Sequence, residues 1–236
     1  MIPAGQHLSR AEYWCYFRTV PTAPTPTSLS PELPLKYVGG DASVDLVNTV
    51  DWTSRGLDHE RLTDYGRFTR WAEGAGVIPK SAGERLRRAA AARPREASLA
   101  HAKATWARWV LQRLYRAVAA GEAPGAALED FNELLADALR RLHISPEAAG
   151  RRGRLGWAWR AMGGELESPL WPVLWSAAQL LASDDAARLR VCDAPECGWM
   201  YVDRSRNGLR RWCQMETCGT REKTRRRRER AQHGKP

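Results

Sequence analysis

The chain has 236 residues and a formal net charge of +10 at neutral pH. This length leaves room for one ordinary domain and a small module, and a hydrophobic fraction of 43% is enough for a packed core. No apolar run approaches the roughly 18 residues that a membrane span needs, and no signal peptide is visible. We therefore expect a cytoplasmic protein without membrane contact, whose basic excess indicates an acidic partner.

Composition divides the chain into three parts. Residues 1–34 alternate prolines with Thr and Ser, which is typical of an extended, disordered segment. Residues 35–187 are predicted to form a helical domain. Residues 188–236 hold four of the five cysteines and are predicted to form a separate small module.

The first ordered stretch is predicted to begin near residue 36. Asp41 is suited to cap a helix over residues 41–50, whose aliphatic residues would turn toward a core. Asp45 and Asn48 lie on one side of this helix. Two interpretations stay open: these polar residues form the edge of a pocket for a small ligand, or they belong to an exposed face beside the helix cap.

Apolar residues at helical spacing predict the next elements. One helix covers residues 64–75 with Thr63 as its cap, and another opens at a Ser81/Glu84 capping box and ends before Pro94. Two more cover residues 95–120 and 126–141. Their tryptophans follow the buried stripe, which favours core positions over a ligand cage.

A β-hairpin and a last helix complete the predicted helical domain. Residues 142–145 and 154–161 favour paired strands, because Leu155, Trp157 and Trp159 alternate with other residues as in a half-buried strand. Ser168 and Pro169 mark a helix start. A short strand over residues 188–191 then leads into the module, so we expect the module to be held against the helical domain.

Four cysteines of the module form two short chelating pairs. Four residues separate the members of each pair and fifteen separate the pairs, which are Cys192/Cys197 and Cys213/Cys218. Two such pairs supply the four thiolates that a structural zinc ion takes. Disulfides or buried core thiols are the alternatives, but disulfides need an oxidising compartment. The spacing therefore predicts one structural Zn²⁺ ion with no open coordination position.

The residues after the fourth cysteine are strongly basic. Residues 220–236 hold eight Lys or Arg against two Glu, and no Gly or Pro interrupts residues 220–232. This composition predicts a basic helix suited to a nucleic-acid backbone, although a solvated charged tail has the same composition. The residues predicted to contact nucleic acid are Arg206, Arg210, Arg211, Arg221, Lys223, Arg225 and Arg228.

The module is predicted to fold as a treble-clef-like unit. A knuckle over residues 192–197 would lie between two short strands, and residues 205–208 would make a tight turn. Residues 209–212 would pair back onto the strands. We expect Trp199 and Trp212 to form a lid over the zinc ion.

These residues resemble the CGNR-type zinc finger of bacterial transcription regulators. The shared pattern is C-x4-C-G-W-x-[FY]-x-D-x-S-R-N-x-x-R-R-W-C-x-M-x-x-C-G-x-R-x-K, which spans about 32 positions from Cys192 to Lys223. The asparagine of the family's name is replaced by Thr220, which can still cap a helix or form a hydrogen bond. The resemblance implies DNA as the partner.

The helical domain resembles the ABATE domain, which commonly precedes a CGNR finger. The similar residues are YVGG, SVDLVNT and ERLTDYGRFTRWAEGAGVI, which lie in residues 36–78, and the likeness is looser over residues 79–187. This resemblance implies that the domain senses a small ligand and strengthens the pocket interpretation of Asp45 and Asn48.

The sequence as a whole favours a mostly α (α+β) protein that regulates transcription by binding DNA through its zinc finger. The N-terminal domain would sense a small-molecule effector or mediate formation of a homodimer. RNA binding and a protein–protein adaptor role stay open as alternatives. The phosphate-binding, dinucleotide, zinc-protease and serine-hydrolase motifs are absent from the sequence, so we do not expect an enzyme.

Overall fold

Helices make up most of the protein. The computed structural model describes residues 24–54, 56–146 and 154–233. Its α-helices are α1 (Ala42–Val47), α2 (Tyr65–Gly74), α3 (Lys80–Ala92), α4 (Pro94–Ala120), α5 (Ala126–Leu139), α6 (Leu170–Leu181) and α7 (Thr220–His233). The predicted mostly helical class is therefore confirmed.

Short antiparallel hairpins accompany the helices. Each pairs two consecutive strands: β1 (Asp51–Thr53) with β2 (Gly56–Asp58), β3 (Leu142–Pro146) with β4 (Leu155–Trp159), and β5 (Leu189–Val191) with β6 (Met200–Val202). A 3-10 helix over Asp184–Arg188 precedes β5, and a π-helical turn over Met215–Gly219 precedes α7.

The helix starts follow local side-chain chemistry, with two differences from the expected caps. Asp41 caps α1 as predicted, because its carboxylate accepts the N–H of Ser43 at 2.8 Å. The expected Thr63 cap is wrong, since Asp64 accepts the N–H of Arg67 at 2.8 Å and caps α2. The expected capping box at Ser81 is also wrong. The chain enters α3 from Pro79, whose ring already fixes φ at −72°, and Ser81 lies inside the helix.

The longest described helix lies at the centre of the helical part of the chain. Helix α4 contacts α1, α2, α3 and α5, and it also contacts β5 of the cysteine-containing segment. It begins at Pro94, which needs no N–H partner there, and ends at Gly121, whose φ of 71° is the left-handed conformation that glycine accepts readily. Because α4 touches both parts, the two share one hydrophobic core.

The described part of the expected disordered segment is hydrogen-bonded to the rest of the protein. Residues 1–23 of that segment lie outside the described residues. The N–H of Thr27 donates to Leu57 at 3.0 Å, the N–H of Ser30 donates to Glu60 at 2.8 Å, and Glu60 donates back to Ser28 at 2.9 Å. Residues 27–30 therefore lie along β2 and the two residues after it, which differs from the expectation of disorder for these four residues.

A buried ion pair lies beneath this segment. Arg108 of α4 meets both carboxylate oxygens of Glu60 at 2.8 and 2.5 Å, and it also donates to the Thr49 hydroxyl at 3.0 Å. The second role of Glu60 is to accept the N–H of Leu62 at 2.8 Å. If the two side chains moved apart, each would leave a buried charge without a partner, which is strongly destabilising. The pair therefore holds the residues between β2 and α2 against α4.

The predicted β-hairpin is present as β3 and β4, but only its end near Trp159 packs against the core, and none of its residues is fully buried. Trp159 packs against Trp171 of α6, with 6.2 Å between their ring centroids. Leu155 and Trp157 are each 65% exposed, so the outer half of β4 does not have the half-buried face that its alternation predicted. No helix among the described residues is both long enough and apolar enough to cross a membrane.

Candidate zinc centre and nucleic-acid interface

The four cysteines of the two predicted pairs converge on one point. The sulfur atoms of Cys192, Cys197, Cys213 and Cys218 all lie within 4.8 Å of one another. The Cys197 and Cys213 sulfurs are 3.9 Å apart, and those of Cys213 and Cys218 are 3.6 Å apart. Tetrahedral zinc with Zn–S bonds of about 2.3 Å places its sulfurs about 3.8 Å apart. The cluster is therefore suited to one zinc ion.

Each cysteine is placed by a different local element. Cys192 directly follows β5, and its N–H donates to Trp199 at 2.9 Å, which closes the knuckle between β5 and β6. Glu196 supports this sharp turn with a positive φ of 59°. Cys213 lies in the loop after β6, and Cys218 lies in the π-helical turn that leads into α7.

The chemistry of this donor set favours a structural metal over a catalytic one. All four positions are thiols of the chain, so a bound zinc ion has no open position for water. Hydrogen bonds that the Cys213 thiol donates to the neighbouring cysteine sulfurs, together with burial, raise the pKa of this thiol. A divalent cation offsets the mutual repulsion of thiolates at such short range. The N–H of Cys213 also donates to the Cys192 sulfur at 3.3 Å.

Strand β6 attaches the cysteine-containing segment firmly to the helical part. Asn48 of the α1 C-terminus donates through Nδ2 to the Met200 carbonyl at 2.8 Å and accepts the Met200 N–H at 2.9 Å. The N–H of Val202 donates to Gly39 at 2.8 Å. These contacts agree with the expectation that the finger is held against the helical part.

A close backbone approach next to Cys197 adds to this attachment. The N–H of Gly198 donates to the Trp52 carbonyl at 2.7 Å. A Cβ atom at Gly198 would lie 2.5 Å from the Trp52 Cβ and 2.7 Å from the Trp52 carbonyl oxygen. Only glycine permits this approach, because any side chain would push the knuckle away from β1.

Trp199 has a different position from the one expected. Its indole N–H donates to the Val50 carbonyl at 3.1 Å and to the Asp51 carboxylate at 3.0 Å, and the guanidinium of Arg61 lies 5.0 Å from the ring centroid. Arg61 also pairs with Asp51 at 2.8 Å. The expectation of Trp199 as a lid over the zinc ion is therefore wrong, since the ring faces the helical part.

Trp212 does lie next to a cysteine ligand. Its Cδ1 atom is 3.0 Å from the position of an ideal Cβ at Gly219, the residue after Cys218. Arg211 stacks over the Trp212 ring with 5.1 Å to its centroid. The expected strand over residues 209–212 does not form. The loop instead returns through one backbone bond from Asp193 to Arg211 at 3.0 Å.

The predicted phosphate contacts fall into two groups, one in the loop before Cys213 and one on α7. The exposed members are Arg206, Arg211, Arg221, Lys223, Arg225 and Arg228. Arg210 differs, because its guanidinium is half-buried and donates to the carbonyls of Trp212 at 3.0 Å and Val38 at 3.1 Å. It also donates to the Cys213 carbonyl and lies 4.1 Å from the Tyr201 ring centroid.

Ion pairs hold part of the basic helix in place. Arg225 donates to Glu222 at 2.7 Å and to Glu229 at 2.5 Å, and Arg226 donates to Glu222 at 2.7 Å. Hydrogen bonds from these two arginines hold the pKa of Glu222 at about 2. This role of Glu222 was not predicted, although its spacing of three and four residues from two arginines is the signal that indicates it.

The two candidate ligand-binding residues are both buried. Asp45 accepts the N–H of Gly39 at 2.8 Å, and burial raises its pKa to about 6. Asn48 is occupied by Met200, as described above. Their assignment to a small ligand stays a prediction.

Asp203 is a site residue that the sequence analysis did not single out for a role. Its carboxylate accepts the N–H and the hydroxyl of Ser205 at 2.9 and 2.5 Å, and the N–H of Arg210 at 3.0 Å. An Asp two residues before a Ser at the start of a turn is a recognisable signal for this arrangement. Asp203 therefore shapes the loop that carries Arg206.

Comparison with protein families agrees with this geometry. Residues 188–231 match the CGNR zinc finger model. Residues 40–184 match the ABATE model, which is described as "Putative stress-induced transcription regulator". Neither description is that of an enzyme family, and no curated protein matches the chain. Because the ABATE match covers more than half of the 236 residues, the chain belongs to the ABATE family and carries a CGNR zinc finger directly after the ABATE region.

Proposed function

We propose that this protein is a zinc-dependent, DNA-binding transcription regulator. One observation carries the proposal: a four-cysteine cluster suited to zinc lies at the root of an exposed, strongly basic helix. Cys218 is two residues from the start of α7, so a bound zinc ion would fix the direction of that helix. A helix held in this way presents its cations to a phosphate backbone in one orientation, which a free basic tail does not.

The proposed phosphate contacts are the exposed basic residues of the loop and of α7. They are Arg206, Arg211, Arg221, Lys223, Arg225 and Arg228. We leave Arg210 out of this set, because its side chain is half-buried and three main-chain carbonyls take its donors. Arg225 stays in the set because it is exposed, although a phosphate would have to replace Glu222 or Glu229 as its partner. Its proposed role is to hold the loop in position. The exposed cations supply affinity and orientation, and phosphate contacts by themselves carry no sequence information.

The proposed role of the ABATE region is to sense a small effector or to mediate dimerisation in the cytoplasm. In this proposal the ABATE-like sensor region comprises residues 35–187 and the zinc finger comprises residues 188–236. An effector that moves α1 would act on the finger directly, because Asn48 of α1 holds Met200 of β6. In this proposal Asp45 and Asn48 respond to the effector, and we do not propose a catalytic step.

The proposal is tested by fluorescence anisotropy with labelled duplex DNA, using zinc-loaded and zinc-stripped full-length protein over a series of salt concentrations. If about five cations contact phosphates, log K falls with log salt at a slope of about −4 to −5. We expect tight, salt-dependent binding only with zinc. Equal binding without zinc would assign the binding to the basic residues alone and contradict a zinc-dependent finger.

Two competitors separate the alternatives within the same experiment. Structured RNA that outcompetes duplex DNA at equal salt would favour an RNA-binding protein over a DNA-binding one. Absence of binding to either nucleic acid at low salt would favour an adaptor that docks on an acidic protein. Duplex DNA as the stronger competitor is the result that the proposal predicts.

A further inference from the structure

A rigid loop of the finger presents an exposed leucine. Leu209 is 71% exposed at the end of the loop that begins after Asp203. The loop closes through a hydrogen bond from the Gly208 N–H to Ser205 at 3.2 Å, and Gly208 has a φ of 63° that glycine accepts readily.

The carboxylate of Asp203 holds both ends of this loop. It is 1% exposed and accepts hydrogen bonds from Ser205 on one side and from the Arg210 N–H on the other. The guanidinium of Arg210 is held in turn by the main-chain carbonyls of Trp212 and Val38. Leu209 therefore projects from a fixed backbone and cannot fold back onto the core without breaking these contacts.

The surroundings of Leu209 combine apolar and cationic groups. Leu209, Trp212 and the half-exposed Met215 line one open groove of about 580 Å³ with Arg210, Arg211 and Glu216. Arg211 forms an exposed ion pair with Asp193 at 2.8 Å, which a phosphate can replace. Arg206 is exposed in the same loop. A single exposed leucine needs no partner, but Leu209 and Met215 together form an exposed apolar patch beside charged side chains, and such a patch marks an interaction surface. The partner must offer an apolar surface close to negative charge.

Duplex DNA meets both requirements, because its stacked base pairs lie between two rows of phosphates. We propose that Leu209 enters the minor groove of DNA and wedges between two neighbouring base pairs, while Arg206 and Arg211 bind the adjacent phosphates. Leucine is among the side chains that unstack a base step in this way and bend the duplex toward the major groove. This inference rests on the proposed DNA-binding function and adds a mode of reading DNA shape to it.

Insertion of Leu209 gives the protein a preference for particular DNA sequences, which phosphate contacts cannot supply. Pyrimidine–purine steps such as TA unstack and bend more easily than other steps. The protein is therefore expected to bind a duplex with a central TA step more tightly than a G·C-rich duplex of the same length. It is also expected to bend the TA duplex.

The test uses zinc-loaded full-length protein and a short duplex with a central TA step. Fluorophores at the two ends report bending by energy transfer, and 2-aminopurine beside the step reports unstacking. Leu209→Ala is expected to lose most of the energy-transfer change and of the 2-aminopurine signal. Leu209→Met, which keeps a long apolar side chain, is expected to retain both. The salt slope of all variants should equal that of the wild type, because no charge changes.

Leu155→Ala is the matched control, since it removes an equally large exposed leucine from β4 of the helical part. This variant is expected to bend DNA as the wild type does. Equal zinc content shows that Leu209→Ala keeps its folded finger. Unchanged bending and 2-aminopurine fluorescence in Leu209→Ala would overturn the wedge while the proposed DNA binding stands. Failure of the wild type to bind any duplex would overturn the proposed function itself.

Discussion

The side-chain amide of Asn48 satisfies both main-chain groups of Met200, 152 residues further along the chain. Asn48 is 1% exposed and Met200 is fully buried, so water cannot replace either bond. This pair joins the last turn of α1 to a strand of the finger. The Asn48 amide thus makes the two hydrogen bonds to the Met200 N–H and carbonyl that a neighbouring β-strand would otherwise make.

We predict that Asn48→Ala lowers the free energy of unfolding by about 2–4 kcal/mol, because it leaves the N–H and the carbonyl of Met200 buried without partners. Urea unfolding followed by tryptophan fluorescence measures this loss. Asn207→Ala is the matched control, since Asn207 is exposed in the finger loop, and it should change stability by less than about 0.5 kcal/mol. Equal midpoints for the two variants would contradict the role of the Asn48–Met200 pair.

Zinc removal is predicted to unfold the part of the finger that has little apolar contact of its own. In zinc-finger peptides, bound zinc contributes about 10–16 kcal/mol at neutral pH. Helix α7 is exposed along most of its length, so a chelator should remove its helical signal from the circular dichroism spectrum. Strand β6 is packed on the helical part and should keep its position. The signal should return when zinc is added back.

Cys218→Ser provides the control for zinc removal. This variant should show the reduced helical signal before the chelator is added and should not respond to it. Full retention of the helical and tryptophan signals by zinc-stripped wild type would show that the fold of the finger does not depend on the metal.

Substitution of the two arginines of this loop should affect different properties: stability for Arg210 and DNA binding for Arg206. Arg210→Ala removes hydrogen bonds to three main-chain carbonyls and should lower stability by about 2–3 kcal/mol. Arg206→Ala removes an exposed side chain and should leave stability within about 0.5 kcal/mol while it reduces the salt slope of DNA binding by about 1. Thermal unfolding and anisotropy titrations measure the two effects. The reverse assignment of effects would show that Arg210 is the phosphate contact.

The buried carboxyl of Asp45 should make stability depend on pH. Burial raises its pKa from 3.8 to about 6, and the Gly39 hydrogen bond and the nearby Asp41 modify this value in opposite directions. Between these two pKa values the folded protein holds a proton that the unfolded chain has released. Stability should therefore fall as the pH rises from about 4 to about 6 and then remain level.

Asp45→Asn should reduce this dependence, because an amide cannot ionise and its oxygen can still accept the Gly39 N–H. At pH 7 the variant should be more stable than the wild type by about 3 kcal/mol, and the difference should become small near pH 4. Urea midpoints at several pH values measure both. If the unfolding free energies of the two proteins changed in parallel with pH, the pKa of Asp45 would not be raised in the folded protein.

The features that depend on short sequence spacing could be predicted, and those that depend on docking could not. The spacing of Cys192, Cys197, Cys213 and Cys218 predicted their convergence, because four-residue gaps leave each pair little freedom. The apolar period predicted α4 almost to its ends. These are local properties of the chain.

Long-range contacts explain the differences. The amide of Asn48 bonds to a main-chain group of a distant strand, which no local pattern reveals, and its predicted place at a pocket edge stays a prediction. Trp199 read as a lid for the same reason, since Val50 and Asp51 take its indole N–H. Basic composition also does not distinguish a guanidinium in solvent from one held by carbonyls, so it could not show the three main-chain partners of Arg210.

The close approach of Gly198 to Trp52 limits how such proteins can be recombined. A finger from a relative cannot simply be fused after another ABATE region, because its knuckle must match the backbone of β1 as closely as this one does. An isolated finger would also leave Trp199 and Met200 uncovered and prone to aggregate. A change in one of these two surfaces therefore requires a compensating change in the other.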